Sequence, residues 1–337
     1  MHNLAAPRVL AGVAVAAALA LGGCGDDDED VASQPVGPLA EALAEIGGGG
    51  DGSFGIGWAD PQLARDSGVD AEVMATALAP NAGSFIEEGP QLRRRFGLNP
   101  LAAERLVSVA GSYAFGLRLE GVDGRRLARA LVADGGRTRE VDGLDLIEIG
   151  DYAVVPEALL SLGIRGLGAF DALGSDLAVL AISDRARSTL LGRGEPLLDE
   201  PVYRAASACL GDVVAARTIP DKLLLGSELG IEQVAIGVKA GGEVLCTLGG
   251  TAERADEVAS ALETLLVPDA RDPVSGERIG NSLSDVQVTR DSLEGVEVVR
   301  ADARVAAGGE QPGFFFDTVA SASLVSLLNG NSESFFP

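Results

Sequence analysis

Histidine is all but missing from this 337-residue chain; His2 is the only one. Without imidazole, the body cannot build a Ser-His-Asp or Cys-His nucleophile system. It also cannot build a His-containing zinc site or an HExxH metalloprotease motif. Aromatic residues make up 4% of the chain, with one tryptophan and three tyrosines. That scarcity weighs against the stacking platforms that bases need, and against sugar clefts. Lysine is scarcer still: of 26 basic residues, only Lys222 and Lys239 are lysines. A Ser–Lys dyad is therefore limited to those two, and both fall in turn or hairpin positions that read as solvent-facing. No phosphate loop is present, because Gly163-Ile164-Arg165-Gly166-Leu167-Gly168 lacks both the GxGxxG spacing and a Walker Lys-Ser/Thr. No GxSxG nucleophile elbow occurs either. Positive charge is in the minority, with 50 acidic residues and a net charge of −24. Such a balance repels nucleic acid and anionic lipid headgroups, so no nucleic-acid partner is expected.

Hydrophobic residues reach 47%, enough for a sizeable core, and their longest early run is informative. Arg8 precedes the apolar stretch Val9 to Leu21, then Leu21-Gly22-Gly23-Cys24, then the acidic run Asp26 to Asp30. The run is short for a bilayer span, which needs ~20 residues. A charged start, a short apolar core and small residues before the cut are the parts of a secretory signal. With a cysteine at the cut, the stretch resembles the lipobox of bacterial lipoproteins, although Gly22 stands where Ala or Ser is commoner. The resemblance implies that residues 1–23 are a signal peptide and that Cys24 is lipidated and becomes the new N-terminus. The body would then sit on the extracytoplasmic face of the cell membrane, with the membrane as its partner through the anchor. Residues 24–52 read as a flexible, acidic and Gly-rich tether. Within it, Pro38 to Ile46 has apolar residues at Leu39, Leu43 and Ile46, spaced for two helical turns. The acidic run lacks EF-hand spacing and reads as a solvated leader.

With Cys24 taken by lipid, Cys209 and Cys246 remain. In an oxidising compartment an even remainder predicts a disulfide. Closing a loop of this length stabilises a fold by about 4 kcal/mol on the chain-entropy model.

The remaining pattern predicts an α+β fold: mixed or antiparallel sheets with packed helices, in two halves at 53–210 and 211–337. Ser53 to Ala59 reads as a strand, and 70–108 as mostly helical, broken by Gly83, Gly89-Pro90 and Asn99-Pro100. Arg93-Arg94-Arg95 is the one basic cluster, expected to lie on a helix face paired with carboxylates. Tyr113 to Glu120 alternates as a half-buried strand does. Further strands are expected at Arg139 to Ile149, Leu177 to Ile182, Val213 to Ile219, Val286 to Thr289 and Val296 to Val305. A hairpin is expected at Glu232 to Leu248. Helices are expected after Gly124, Asp184, Pro201 and Thr251, and an apolar segment runs from Phe314 to Leu328. One internal echo suggests related halves. Leu127-Ala128-Arg129-Ala130-Leu131 answers Val258-Ala259-Ser260-Ala261-Leu262, and Asp142-Gly143 answers Glu294-Gly295, each pair lying between comparable strands.

No metal or cofactor is expected, and no catalytic residues stand out. The sequence points to a binding or scaffolding lipoprotein that contacts a protein partner or small solute. One alternative is a carrier of an apolar ligand such as a lipid, enclosed by 154–174 and 314–328. Others are a solute-binding component of an importer or, less favoured, a carboxylate-based hydrolase.

Overall fold

The structure is a computed structural model. It describes residues 37–48, 54–78, 80–111, 114–133, 135–141, 144–148, 169–173, 176–181, 183–224, 230–272, 275–307, 312–320 and 323–329. The signal, Cys24, the acidic run and the stretch 149–168 lie outside the described residues.

Helix α1 (Pro38–Ala44) leads into β1 (Gly55–Ala59). Helices α2 (Pro61–Asp66), α3 (Ala71–Ala77), α4 (Pro80–Glu87) and α5 (Gly89–Phe96) separate β1 from β2 (Arg105–Gly111) and β3 (Ala114–Glu120). Next come α6 (Gly124–Ala133), β4 (Arg137–Val141), β5 (Leu144–Glu148), β6 (Ala169–Leu173) and β7 (Leu177–Ala181). Helices α7 (Asp184–Leu190) and α8 (Pro201–Leu210) precede β8 (Ala215–Pro220), β9 (Gln233–Lys239) and β10 (Gly242–Leu248). The chain continues through α9 (Ala252–Leu265), β11 (Leu283–Leu293), β12 (Val296–Val305), α10 (Phe314–Ala320) and α11 (Ser323–Leu328).

The described strands make one 12-stranded sheet in the order β11-β12-β10-β9-β8-β1-β2-β3-β7-β6-β5-β4. Every neighbouring pair is antiparallel. The fold is therefore α+β. Strand side chains alternate between two cores, as the pleat requires. Ala59, Leu106, Leu117, Ile219, Ile236 and Leu245 join α2–α6 and α9–α11 on the front face. Ile56, Trp58, Val107, Ala216, Val244 and Cys246 join α1, α7 and α8 on the back.

The two halves share a plan. Each is a three-strand meander (β1-β2-β3, β8-β9-β10), then a front-face helix, then returning strands whose last member pairs with the third strand. Leu127 and Leu131 of α6 are buried as Val258 and Leu262 of α9 are, so the helical part of the sequence echo coincides with a structural one; Asp142-Gly143 lies outside the described residues. Between β11 and β12, Glu294 (φ 54°) and Gly295 (φ 79°) make the two-residue left-handed turn that suits a hairpin. The first half differs by carrying α2–α5 between its first two strands and an extra hairpin, β4–β5, beyond β6. The halves are not separate domains. The β1–β8 pairing makes the sheet continuous, and residues 35–337 form one compact unit.

Five sequence expectations need correction. Residues 38–48 are not tether. Leu39, Leu43 and Ile46 are 2%, 0% and 1% exposed in the back core, each worth ~1.5–3 kcal/mol of burial. An ionic clamp adds to this. Glu45 accepts from Arg118 at 2.6 Å and from Arg105 at 3.2 Å, and Arg118 also bonds Glu120 at 2.7 Å. Gly83 does not break a helix but lies inside α4. A Cβ there would sit 2.8 Å from the Ala75 carbonyl oxygen, so the glycine permits α3 and α4 to pack closely. β2 begins within the stretch read as helical, and β11 begins at Leu283 rather than Val286, with a bulge between Ser284 and Gln287. Lys239, read as solvent-facing, is half-buried and paired with Asp302 at 2.6 Å.

Candidate acidic cleft

Three distant segments converge on the front face around a solvent-open cleft of about 800 Å³. The start of α3 contributes Asp70, Glu72, Val73 and Thr76, and the connection after α9 contributes Asp272, Ser275, Glu277 and Gly280–Ser282. The approach to α10 contributes Pro312–Phe314, Phe316 and Asp317. Five carboxylates and no basic side chain line it.

Local structure fixes each wall. Asp70 caps α3, accepting the backbone N–H of Glu72 at 3.0 Å and of Val73 at 3.1 Å. Asp272 closes a turn by accepting the Ser275 hydroxyl at 2.7 Å, and Arg271 steadies that turn through the Gly276 carbonyl at 2.6 Å. The third wall is held from beneath by Glu243 of β10, which is 1% exposed. Its carboxylate accepts the N–H groups of Gly313 (3.2 Å), Phe314 (3.2 Å) and Phe315 (2.8 Å). A side chain from the sheet thereby caps α10, doing what a local N-cap does elsewhere. Burial pushes the Glu243 pKa up to about 7, outweighing the three N–H bonds that favour the anion. Phe314 and Phe315 meet edge to face, with ring centroids 5.7 Å apart.

The cleft is electrostatically tense. Burial raises the Asp317 pKa, and repulsion from Asp272 and Glu72 raises it further. Carboxylates from all three walls therefore gather their negative potential in one concavity, which attracts cations and repels anions. Among the described residues, no group of three or more His, Cys, Asp or Glu side chains is arranged to hold a metal ion.

No known protein family, curated protein or solved structure matches this chain. The cleft is therefore read from its own chemistry.

The sequence-derived sites fare differently. Cys24 lies outside the described residues. Cys209, in the last turn of α8, and Cys246, on β10, are bonded to each other, with Cα atoms 6.4 Å apart. Their bond staples a back-face helix to the sheet, on the face opposite the cleft. Gly237 assists the approach, since a Cβ there would lie 2.5 Å from Val213 just beyond α8. The cleft residues went unnoticed in the sequence because no two of their segments are neighbours in the chain. The usable signals were the Phe314-Phe315-Phe316-Asp317 run and the polar loop around Asp272. Of the two segments expected to enclose an apolar ligand, 154–174 lies mostly outside the described residues, and 314–328 contributes to the core. Phe315, Phe316, Leu324, Leu327 and Leu328 are packed into the front core.

Proposed function

We propose that this protein is a lipid-anchored, extracytoplasmic binding protein whose cleft takes an organic cation, such as a polyamine or a basic peptide segment. The observation that carries the reading is that every charged side chain lining the cleft is a carboxylate. Five carboxylates are distributed around the rim, with Val73, Phe314 and Phe316 among the lining residues. Negative charge spread around an open concavity suits a ligand with separated positive groups, and the smaller apolar part of the lining can take its hydrocarbon body. The missing imidazole, and the engagement of Asp70 in a cap and Asp272 in a turn, support binding rather than chemistry. This favours a charged ligand over the apolar cargo raised from sequence, and it suits a solute-binding role beside an importer.

Titration calorimetry with spermidine should detect binding that weakens as salt rises, with no signal for a dicarboxylic acid of similar length. Glu72→Gln with Asp317→Asn should weaken it about tenfold or more, since each lost charge contact is worth ~1 kcal/mol. Equal affinity in the double variant would remove the cleft from consideration.

The anchor rests on Leu21 to Cys24. Cys24→Ser should abolish incorporation of labelled fatty acid and release the body from membranes washed at high salt. Continued membrane retention of Cys24→Ser under that wash would refute the lipobox reading.

A further inference from the structure

The net charge of −24 conceals a strongly basic region. Residues 89–139 hold ten arginines and four acidic residues. Two of those arginines, Arg105 and Arg118, belong to the α1 clamp. The other eight lie on α5, α6 and β4, all exposed. α6 turns Leu127 and Leu131 into the core and Arg125, Arg126 and Arg129 outward. The Gly135-Gly136 turn then delivers the chain to β4, an edge strand, where Arg137 and Arg139 are exposed. The α5 arginines join the same patch. A Cβ at Gly97, the residue that ends α5, would collide with the guanidinium of Arg126.

This arrangement is unlike the rest of the molecule. Several cations elsewhere have carboxylate partners: Arg204 with Glu294, Lys239 with Asp302, Arg290 with Asp256, Arg300 with Asp302. Among the described residues, no ion pair engages Arg93, Arg94, Arg125, Arg126, Arg129 or Arg137. The paired helix face expected for Arg93 to Arg95 is therefore not what Arg93 and Arg94 form. Arg125 and Arg129 stand one turn apart, a like-charge spacing that works against the helix. No described carboxylate neutralises these six arginines. Val132, at 44% exposure the most exposed large apolar side chain described, lies on the same α6 surface.

We infer that this arginine face docks on the anionic phospholipid headgroups of a membrane. Guanidinium groups bind phosphate oxygens in forked pairs, where an ammonium acts only as a point charge. Clusters of four to eight basic residues are the usual size for anionic-lipid recognition, and an exposed apolar side chain among them can enter the headgroup layer. The inference leans on the lipobox reading only for placing such a membrane within reach. The thirteen residues that follow Cys24, up to Gly37, can extend over ~45 Å, enough to bring this face onto the leaflet that holds the anchor. Docking there would turn the acidic body away from the anionic surface.

The test uses residues 24–337 carrying Cys24→Ser, which retains the entire compact unit 35–337 and has no lipid of its own. Co-sedimentation with phosphatidylglycerol-containing vesicles should exceed that with pure phosphatidylcholine vesicles. It should vanish near 1 M salt, where screening acts over ~3 Å. Arg94→Gln, Arg125→Gln and Arg129→Gln together should weaken binding about a hundredfold. Arg278→Gln with Arg304→Gln, exposed elsewhere, should leave it unchanged and so controls for general loss of charge. Equal sedimentation with both vesicle types, or undiminished binding by the triple variant, would overturn the inference. So would binding to soluble polyphosphate without binding to vesicles. Because the protein tested is unlipidated, failure here is separate from failure of the Cys24 anchor.

Discussion

Glu243→Gln should remove most of a pH dependence in the stability of this fold. In the native state the Glu243 carboxyl titrates at about 7, against an ordinary value of 4.5. The native state thus holds the proton more tightly than the unfolded chain. The stability this confers is complete below pH 4.5 and is lost as the pH rises through 7. The span corresponds to ~3 kcal/mol, at 1.36 kcal/mol per pH unit. Glutamine cannot ionise, so it escapes this loss. Its amide can accept from the N–H groups through one oxygen only, leaving its NH₂ against a backbone donor at a cost of ~1–3 kcal/mol. The two proteins should therefore cross. Wild type should be more stable in urea at pH 5, and Glu243→Gln should gain on it or overtake it at pH 8. Parallel stability curves across that range would mean that the N–H cradle at Gly313–Phe315, not burial, governs the ionisation of Glu243.

Removing the Cys209–Cys246 bond should cost about 4 kcal/mol, the chain-entropy value for a loop of this size. The residues are 37 apart, and the bond ties the end of α8 to an interior strand. Cys209→Ala with Cys246→Ala should lower the urea midpoint at fixed slope. Dithiothreitol should do the same to the wild type and nothing further to the double variant. Both cysteines are buried, at 4% and 0% exposure, so reduction should be slow until the protein opens. An unchanged midpoint in the double variant would show that packing of Leu210 and Val213 against the sheet already fixes α8.

The disulfide was legible in the sequence because compartment and parity, rather than geometry, predict it. The α+β class was legible because Leu177–Ala181, Gln233–Leu248 and Val296–Val305 alternate or turn as strands do. The helix of α1 was visible in Leu39, Leu43 and Ile46, but its attachment was not. Nothing local announces that Arg105 and Arg118 will reach across to Glu45. The short glycine-rich strand β1 and the β2 segment following Asn99-Pro100 carry weak periodicity because β1 is buried on both faces. Side-chain alternation signals a strand only when one face is wet. The cleft and the arginine face are products of tertiary convergence. Arg93–Arg95 drew notice as a run, whereas Arg125, Arg126, Arg129 and Arg137 became one surface only when α6 lay beside α5.

The seam between β1 and β8 has a consequence for how the chain must assemble. Ile56 and Thr218, bonded across it, are 162 residues apart. All five residues of β1 are buried, so neither meander covers its own innermost strand. A first half emerging alone would offer that strand as an apolar edge, the usual template for aggregation. Local hairpins such as β9–β10 and β11–β12 close cheaply and early, but the seam carries nearly the full loop-closure entropy of the intervening chain. The central pair of strands, the most protected part of the finished sheet, is thus the last to meet, and the chain is most vulnerable to misassembly just before its middle is made.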